Sequence, residues 1–289
     1  MKTKFIINPN AGKKRLKDFK KILQNNLNNN LFDYDISYTE KPLHAKEITK
    51  KAIKDRYQLI VSVGGDGTLN EITSELIGKD IPVGIIPSGS GNGFARHFKI
   101  HKDIIKSVQQ LNNSKIIKVD SGIVNGNPFV NVSGIGFDAH IANLFSKREK
   151  RGLISYIKLI LKEINYKEKE YCIEYGNKRR NIKAILISFA NTSQYGNNFK
   201  ISPNSVTDDG LLDFVIMKDL PKWKIPLLIY KIAKGKIYNS KYIEIIRTKN
   251  MKIITTEKII HLDGEPKKID TFVEIRCNKN SLNVLVPNE

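Results

Sequence analysis

Val61-Ser62-Val63-Gly64-Gly65-Asp66-Gly67-Thr68-Leu69-Asn70-Glu71 is the stretch that decides the fold. The apolar run 59–63 predicts a buried strand. It ends in Gly-Gly-Asp-Gly-Thr and passes into a helical pattern carried by Leu69, Ile72 and Leu76. Three glycines in a strand-to-helix turn let the backbone approach a ligand closely and reach positive φ. The helix that follows aims free N–H groups and its positive dipole end at an anion. Asp66, central in the turn, suits a Mg²⁺ that bridges phosphates. An ordinary tight βα loop with a surface aspartate also satisfies the string.

On both sides of it, strand and helix patterns alternate. Strands are expected at 4–8, 33–39, 59–63 and 83–86, and helices at 16–27, 44–55, 69–76 and from Asn92 on. Such alternation predicts an α/β layer with a doubly wound parallel sheet, whose ligands bind beyond the carboxyl ends of the strands. From about Lys118 the texture changes to short Val/Ile/Phe/Tyr runs separated by Gly, Asn and Pro. Runs 122–124 and 129–132 flank Asn125-Gly126, a hairpin signal. Further strands are expected at 184–189, 212–217, 251–255 and 273–276, interrupted by helices at 153–164 and 225–234. The expectation is an α/β domain over 1–120 and an all-β sandwich over 121–289. The last residues are expected to pack back on the first domain, and the active site is expected in the cleft between the two.

The bulk numbers exclude several classes. With 289 residues, 40% hydrophobic, the chain supports two real cores. It has no run of 18 apolar residues, and its first apolar run is too short for a signal peptide. Two cysteines without CxxC spacing fit a reducing cytosol. Lys plus Arg number 49 against 29 Asp plus Glu, a net charge of +20 that favours anionic partners. The charge is not clustered as a nucleic-acid arm, and no nucleic-acid-binding motif is present, so nucleic acid is not an expected partner.

Four more stretches carry chemistry. Asn8-Pro9-Asn10-Ala11-Gly12 follows the first strand, next to Lys13 and Lys14, and reads as a second phosphate loop or as a plain turn. Pro87-Ser88-Gly89-Ser90-Gly91-Asn92-Gly93 again joins strand to helix, where Ser90 and Asn92 can bond a nucleotide or cap the helix. Asp208-Asp209-Gly210 offers adjacent carboxylates for a hard cation, or an Asp-Gly turn. Asp263-Gly264-Glu265 offers a base that accepts a hydroxyl proton during phosphoryl transfer, or a hairpin turn. The residues alone do not say which carboxylate is the base. His97 and His101 have metal-ligand spacing without a third ligand in register, and Lys147–Arg151 reads as a solvated helix start. Segment 221–231 interleaves Lys222, Trp223, Lys224, Tyr230 and Lys231 with apolar residues, and reads as a buried amphipathic helix or as a lipid-docking face.

In this order the motifs resemble the lipid kinase superfamily of diacylglycerol, sphingosine and ceramide kinases, which shares Gly-Gly-Asp-Gly-Thr with NAD kinases and 6-phosphofructokinases. The likeness runs from Asn8 to Glu265. It implies an ATP- and Mg²⁺-dependent kinase acting on a lipid hydroxyl. ATP would sit against Asn8, Pro9, Asn10, Ala11, Gly12, Thr39, Gly64, Gly65, Asp66, Gly67, Thr68, Leu69, Asn70 and Ser90. Asp66, Asp263 and Glu265 would be catalytic, and Asp209 with the carbonyls of Val206 and Leu211 would hold a structural Mg²⁺. Where bacterial diacylglycerol kinases usually carry an aspartate, this chain has Gly93, which is nearer the sphingosine and ceramide kinases. The resemblance implies a cytoplasmic, peripherally membrane-associated enzyme whose partner is a lipid alcohol at an anionic surface, with a homodimer admitted. Two alternatives stand beside it: an NAD kinase, and an inactive nucleotide- or lipid-binding protein.

Overall fold

Residues Met1–Val119 with Asn280–Glu289 form one unit, and Asp120–Lys279 the other. The structure is a computed structural model that describes residues 1–12, 16, 18–148 and 153–288, with the backbone alone at 153 and 154. Lys13, Lys14 and most of the 147–151 cluster lie outside the described residues.

In the first unit, strands β1 (Lys2–Ile7), β2 (Asp33–Tyr38), β3 (Leu59–Gly64) and β4 (Val83–Pro87) alternate with helices α1 (Phe19–Asn26), α2 (His44–Lys54), α3 (Asp66–Leu76), α4 (Gly93–His97) and α5 (Ile104–Asn112). The strands pair in parallel in the order β2-β1-β3-β4. Odd-numbered residues Phe5, Ile7, Leu59, Val61 and Val63 pack against Phe19 and Leu23 of α1 and Val108 of α5. Ile6 and Ile60, on the opposite face by the period of two, are equally buried. Burial on both faces is the signature of a parallel sheet. Val284, near the chain's end, pairs in parallel with Val83, adding a strand beside β4. The order reverses between β1 and β3, so the loops after these two strands diverge and leave a crevice at the carboxyl edge.

The second unit is antiparallel. Its strands are β5 (Ser114–Val124, which begins in the first unit), β6 (Asn127–Phe129), β7 (Val132–Gly136), β8 (Lys169–Tyr175), β9 (Lys178–Ala184), β10 (Leu186–Ala190), β11 (Leu212–Met217), β12 (Ile243–Thr248), β13 (Asn250–Thr255), β14 (Ile259–Leu262), β15 (Glu265–Lys268) and β16 (Phe272–Pro287, which ends in the first unit). Helices α6 (Phe137–Ser146), α7 (Leu153–Lys162) and α8 (Ile225–Ala233) interrupt them. One sheet runs β12-β11-β10-β7-β14-β15, and the other contains β16-β13-β8-β9. Phe189, Phe214 and Ile135 of the first meet Ile253, Ile173 and Ile275 of the second in a single core. The outer face of the first sheet, with Val132, Val215 and Met217, is covered by Leu228 of α8 and its neighbours.

Local differences from the sequence expectations have physical causes. The expected strand 184–189 is two strands, β9 and β10, in different sheets. The break is at Ile185, whose N–H turns to the Met217 carbonyl at 2.8 Å. Helix α6 is an additional element, and β16 is far longer than the expected 273–276. α4 ends at His97, so His97 and His101 do not share a helical face. Burial pushes the His97 imidazole down to about 4, and His101 Nδ1 accepts the Asp103 N–H at 2.9 Å.

Candidate active site

The expected nucleotide loops gather at the carboxyl edge of the first unit's sheet. Helix α3 begins at Asp66, three residues earlier than the apolar pattern shows, with Gly65 as its N-cap. Gly67 and Thr68 therefore belong to its first turn. The glycines do not serve positive φ here: Gly65 has φ −98°, and neither Gly64 nor Gly67 is in the left-handed region. They serve close approach. A Cβ on Gly64 would stand 2.6 Å from Thr68 Oγ1, and one on Gly89 would stand 2.6 Å from the Gly65 Cα. The loops after β3 and β4 thus cross at bare backbone. The first loop joins them, since a Cβ on Gly12 (φ +76°) would meet the Ser88 carbonyl at 2.6 Å. Side chains tie the same cluster. Asn8 Nδ2 donates to Thr68 Oγ1 at 3.1 Å, while Asn8 Oδ1 accepts the Asn10 N–H at 3.0 Å.

Asp66 does more than face the crevice. Its two carboxylate oxygens accept the N–H groups of Asn92 and Gly93, at 2.7 and 2.9 Å. It binds the third loop to the first turn of α3. Leu69 is buried inside the first turn of α3, with its N–H on the Gly65 carbonyl. Thr39 is buried at the end of β2, and its N–H donates to the Ile7 carbonyl at 2.8 Å. Pro9, Asn10 and Ser90 are exposed at the loop tips, with Ala11 half-buried between them and Gly12. Asn70 is half-buried on α3. The adjacent Glu71 accepts the N–H groups of Leu43 and Ala45 at 3.0 and 3.1 Å, and so caps α2 and steadies the loop carrying Thr39.

Among the described residues one group in this cluster lacks a partner: the Ser88 hydroxyl is buried between the loops and makes no hydrogen bond to any of them. An orphaned buried donor beside a helix N-terminus and backbone bare of Cβ atoms fits a phosphate chain, whose oxygens accept such bonds.

In the second unit, Asp263-Gly264 is the two-residue loop of the β14–β15 hairpin, closed by the Leu262–Glu265 pair. Both loop residues have positive φ, +49° and +92°, as a type I′ turn requires. Asp263 is committed to the fold, because its two carboxylate oxygens accept the Val130 and Asn131 N–H groups, each at 2.9 Å. Glu265 is exposed, and its carboxylate has no hydrogen bond or ion pair among the described residues. The turn is held from beneath by His261, a residue the motif reading passes over. Its Nδ1 accepts the Gly264 N–H at 3.1 Å, and its Nε2 faces Asp138 Oδ2 at 3.8 Å. Asp138 accepts the hydroxyls of Ser188, at 2.7 Å, and of Tyr195. Burial and the Asp138 charge push the Tyr195 hydroxyl well above its usual value, so it stays a donor. No spacing rule brings together residues 138, 188, 195 and 261.

The third constellation surrounds Asp209. Its Oδ1 accepts the Leu211 N–H at 2.9 Å, and its Oδ2 lies 3.5 Å from the Arg247 guanidinium. Arg247 bonds Asp213 more closely, at 2.9 Å, and Asp213 also accepts the Ser202 and Ser205 hydroxyls. Gly210, at φ +81°, donates to Asp120 at 2.6 Å. The carbonyls of Val206 and Leu211 accept no hydrogen bond among the described residues. A carboxylate oxygen without a backbone N–H partner and two open carbonyls on one loop are donors that fit a hard cation. Arg247 is the competitor for that carboxylate. Among the described residues no group of three or more His, Cys, Asp or Glu side chains forms a metal site.

The chain is a two-part protein with a glycine-rich loop cluster at the strand ends of a parallel α/β unit and a carboxylate-bearing hairpin in an antiparallel unit. Residues 2–124 match the family of the diacylglycerol kinase catalytic domain, and residues 131–286 match the YegS C-terminal NAD kinase beta sandwich-like domain. A protein of Streptococcus pneumoniae, provisionally named a lipid kinase, is 30% identical over 287 residues, 95% of this chain and 94% of that one. A diacylglycerol kinase of Bacillus subtilis is 29% identical over 76% of this chain and 75% of its own length. A Bacillus anthracis crystal structure, provisionally named a diacylglycerol kinase, superposes with a TM-score of 0.82 at 26% identity, covering 99% of this chain and 95% of that one. The chain belongs to the diacylglycerol-kinase-like family of lipid kinases. No helix among the described residues is long and apolar enough to cross a membrane.

Proposed function

We propose that the chain transfers the γ-phosphoryl group of ATP to the hydroxyl of a membrane lipid, of the diacylglycerol or sphingoid-base class, in a Mg²⁺-dependent reaction on the cytoplasmic side of a membrane. The observation that supports this most is the phosphate cradle: crossed glycine loops, the first turn of α3 and the partnerless Ser88 hydroxyl. The N–H groups of that turn and the Ser88 hydroxyl bond the phosphates and fix their direction. Exposed Asn10 and Ser90 and buried Thr39 line the loops that hold the rest of the nucleotide. Glu265 takes the proton of the lipid hydroxyl as its oxygen bonds the γ-phosphorus and ADP leaves with the bridging oxygen. Asp263 and His261 hold the hairpin on which Glu265 stands. Bound Mg²⁺ supplies charge neutralisation for the phosphates. Positioning and charge stabilisation then account for most of the rate.

The test uses ATP labelled at the γ-phosphate with four acceptors: diacylglycerol, sphingosine, NAD and none. Label recovered in an organic-soluble phospholipid supports the reading. Label on NAD alone assigns the chain to NAD phosphorylation, and no label anywhere leaves a binding protein.

A structural Mg²⁺ would be held by Asp209 with the carbonyls of Val206 and Leu211. Chelation is then expected to lower the melting temperature, because a ligand present at 100 times its Kd stabilises the native state by about 2.7 kcal/mol. Asp209→Ala should abolish that response. A melting temperature indifferent to chelator in the wild-type protein would mean that Arg247 alone neutralises the loop.

A further inference from the structure

Helix α8 has two apolar faces, and the fold covers one. Ile225, Leu228 and Ile232 pack into the cluster of Val215, Met217, Leu220 and Ile237. Leu227 and Tyr230 project from the opposite side, as 100° per residue requires, and are 53% and 55% exposed. Trp223, in the single turn Lys222–Lys224 before the helix, is 76% exposed. Helices apolar on both sides are ordinarily buried on both. The segment that carries it is basic: residues 221–243 contain Lys222, Lys224, Lys231, Lys234, Lys236 and Lys241 and no carboxylate. The Lys224 ammonium sits 4.8 Å over the Trp223 ring.

We propose that this face, Trp223, Leu227 and Tyr230 on a lysine-rich segment, docks on an anionic phospholipid surface. The proposal rests on the lipid kinase reading and adds where the enzyme meets the membrane that carries its substrate. Charge selects the occupant. A second copy applying the same patch would bring six lysines against six, and like charges in a self-complementary contact repel. Anionic headgroups satisfy the lysines, while Trp and Tyr rings suit the boundary between headgroup and acyl chain. The pattern is that of a helix lying in the interface plane, with its basic side chains at the headgroups.

Trp223 is the only tryptophan in the chain, so its fluorescence reports on this face alone. Addition of vesicles rich in phosphatidylglycerol to the full chain is expected to shift its emission to the blue. Lipids brominated on the acyl chain should quench it, and neutral phosphatidylcholine vesicles should do neither. Replacing Lys234, Lys236 and Lys241 by Gln is expected to weaken vesicle binding about 100-fold, since each lysine contributes roughly fivefold at an anionic surface. Leu227→Ser with Tyr230→Ser should abolish the quenching while the circular dichroism spectrum stays unchanged. Both variants should still phosphorylate a short-chain, water-dispersed diacylglycerol. An emission spectrum unmoved by anionic vesicles overturns the docking proposal, as does a shift that follows protein concentration without lipid and accompanies a doubled mass. If wild-type protein phosphorylates no acceptor, the kinase reading falls, and the vesicle response still judges the surface.

Discussion

Glutamine at position 265 is expected to lower kcat by about 10²–10⁴-fold, the range that a general base contributes. Two carboxylates share the β14–β15 turn, and each Asp263 oxygen is already directed at a backbone N–H, of Val130 or Asn131. A proton arriving at Asp263 would remove the charge that both of those bonds accept on and weaken them. The Glu265 carboxylate carries no such partner among the described residues and stands exposed at the first position of β15. Glu265→Gln is nearly isosteric and keeps the turn, so its stability should stay within about 0.5 kcal/mol of wild type. Asp263→Asn provides the contrast. Its amide nitrogen would face a backbone N–H, leaving a donor unsatisfied at a cost of about 1–3 kcal/mol. Turnover and thermal melting of the two variants separate the roles. Near-normal turnover in Glu265→Gln, beside a folded and inactive Asp263→Asn, would transfer the base assignment to Asp263.

The second large effect is expected at Asp66. Asp66→Asn retains one acceptor for two donors, the N–H groups of Asn92 and Gly93. The lost bond and the lost negative charge cost about 1–3 kcal/mol. The consequence for activity is larger. Asp66 fixes the loop of Ser88 and Gly89 against Gly64 and Gly65, and a shift of about 1 Å in the groups that hold a phosphate can cost about 10²-fold. The expected outcome is a fall of at least that size in kcat/KM for ATP, together with a lower melting temperature. Retention of wild-type turnover would remove Asp66 from the site. Gly89→Ala tests the same crossing without touching charge, since its Cβ would stand 2.6 Å from the Gly65 Cα.

Much of this site is legible in the sequence, for local reasons. Alternating periodicity from residue 4 to 112 encodes the parallel α/β unit, because each element must bury its own apolar face. Asn125-Gly126 and Asp263-Gly264 encode hairpins, because only such pairs take positive φ at two adjacent positions without strain. The glycine strings mark where backbones approach each other. Their chemistry is that of absent Cβ atoms, and here the reading needs one change: Gly64 and Gly89 are bare to admit Thr68 and Gly65, with no positive φ required.

Tertiary structure decides how the polar groups are shared out. Asp66 and Glu71, five residues apart in one motif, serve different partners: Asp66 holds the loop at Asn92, and Glu71 caps α2. His261 supports the β14–β15 hairpin from a network built on Asp138, Ser188 and Tyr195, residues drawn from three separate segments. The sequence by itself determined the two architectures, the position of the loops at the strand ends and the carboxylates available to them, because periodicity and turn chemistry act within a few residues. Which carboxylate is bonded to backbone and which stays exposed depends on N–H groups more than a hundred residues distant, such as those of Val130 and Asn131. Only the folded chain brings such donors within hydrogen-bonding range.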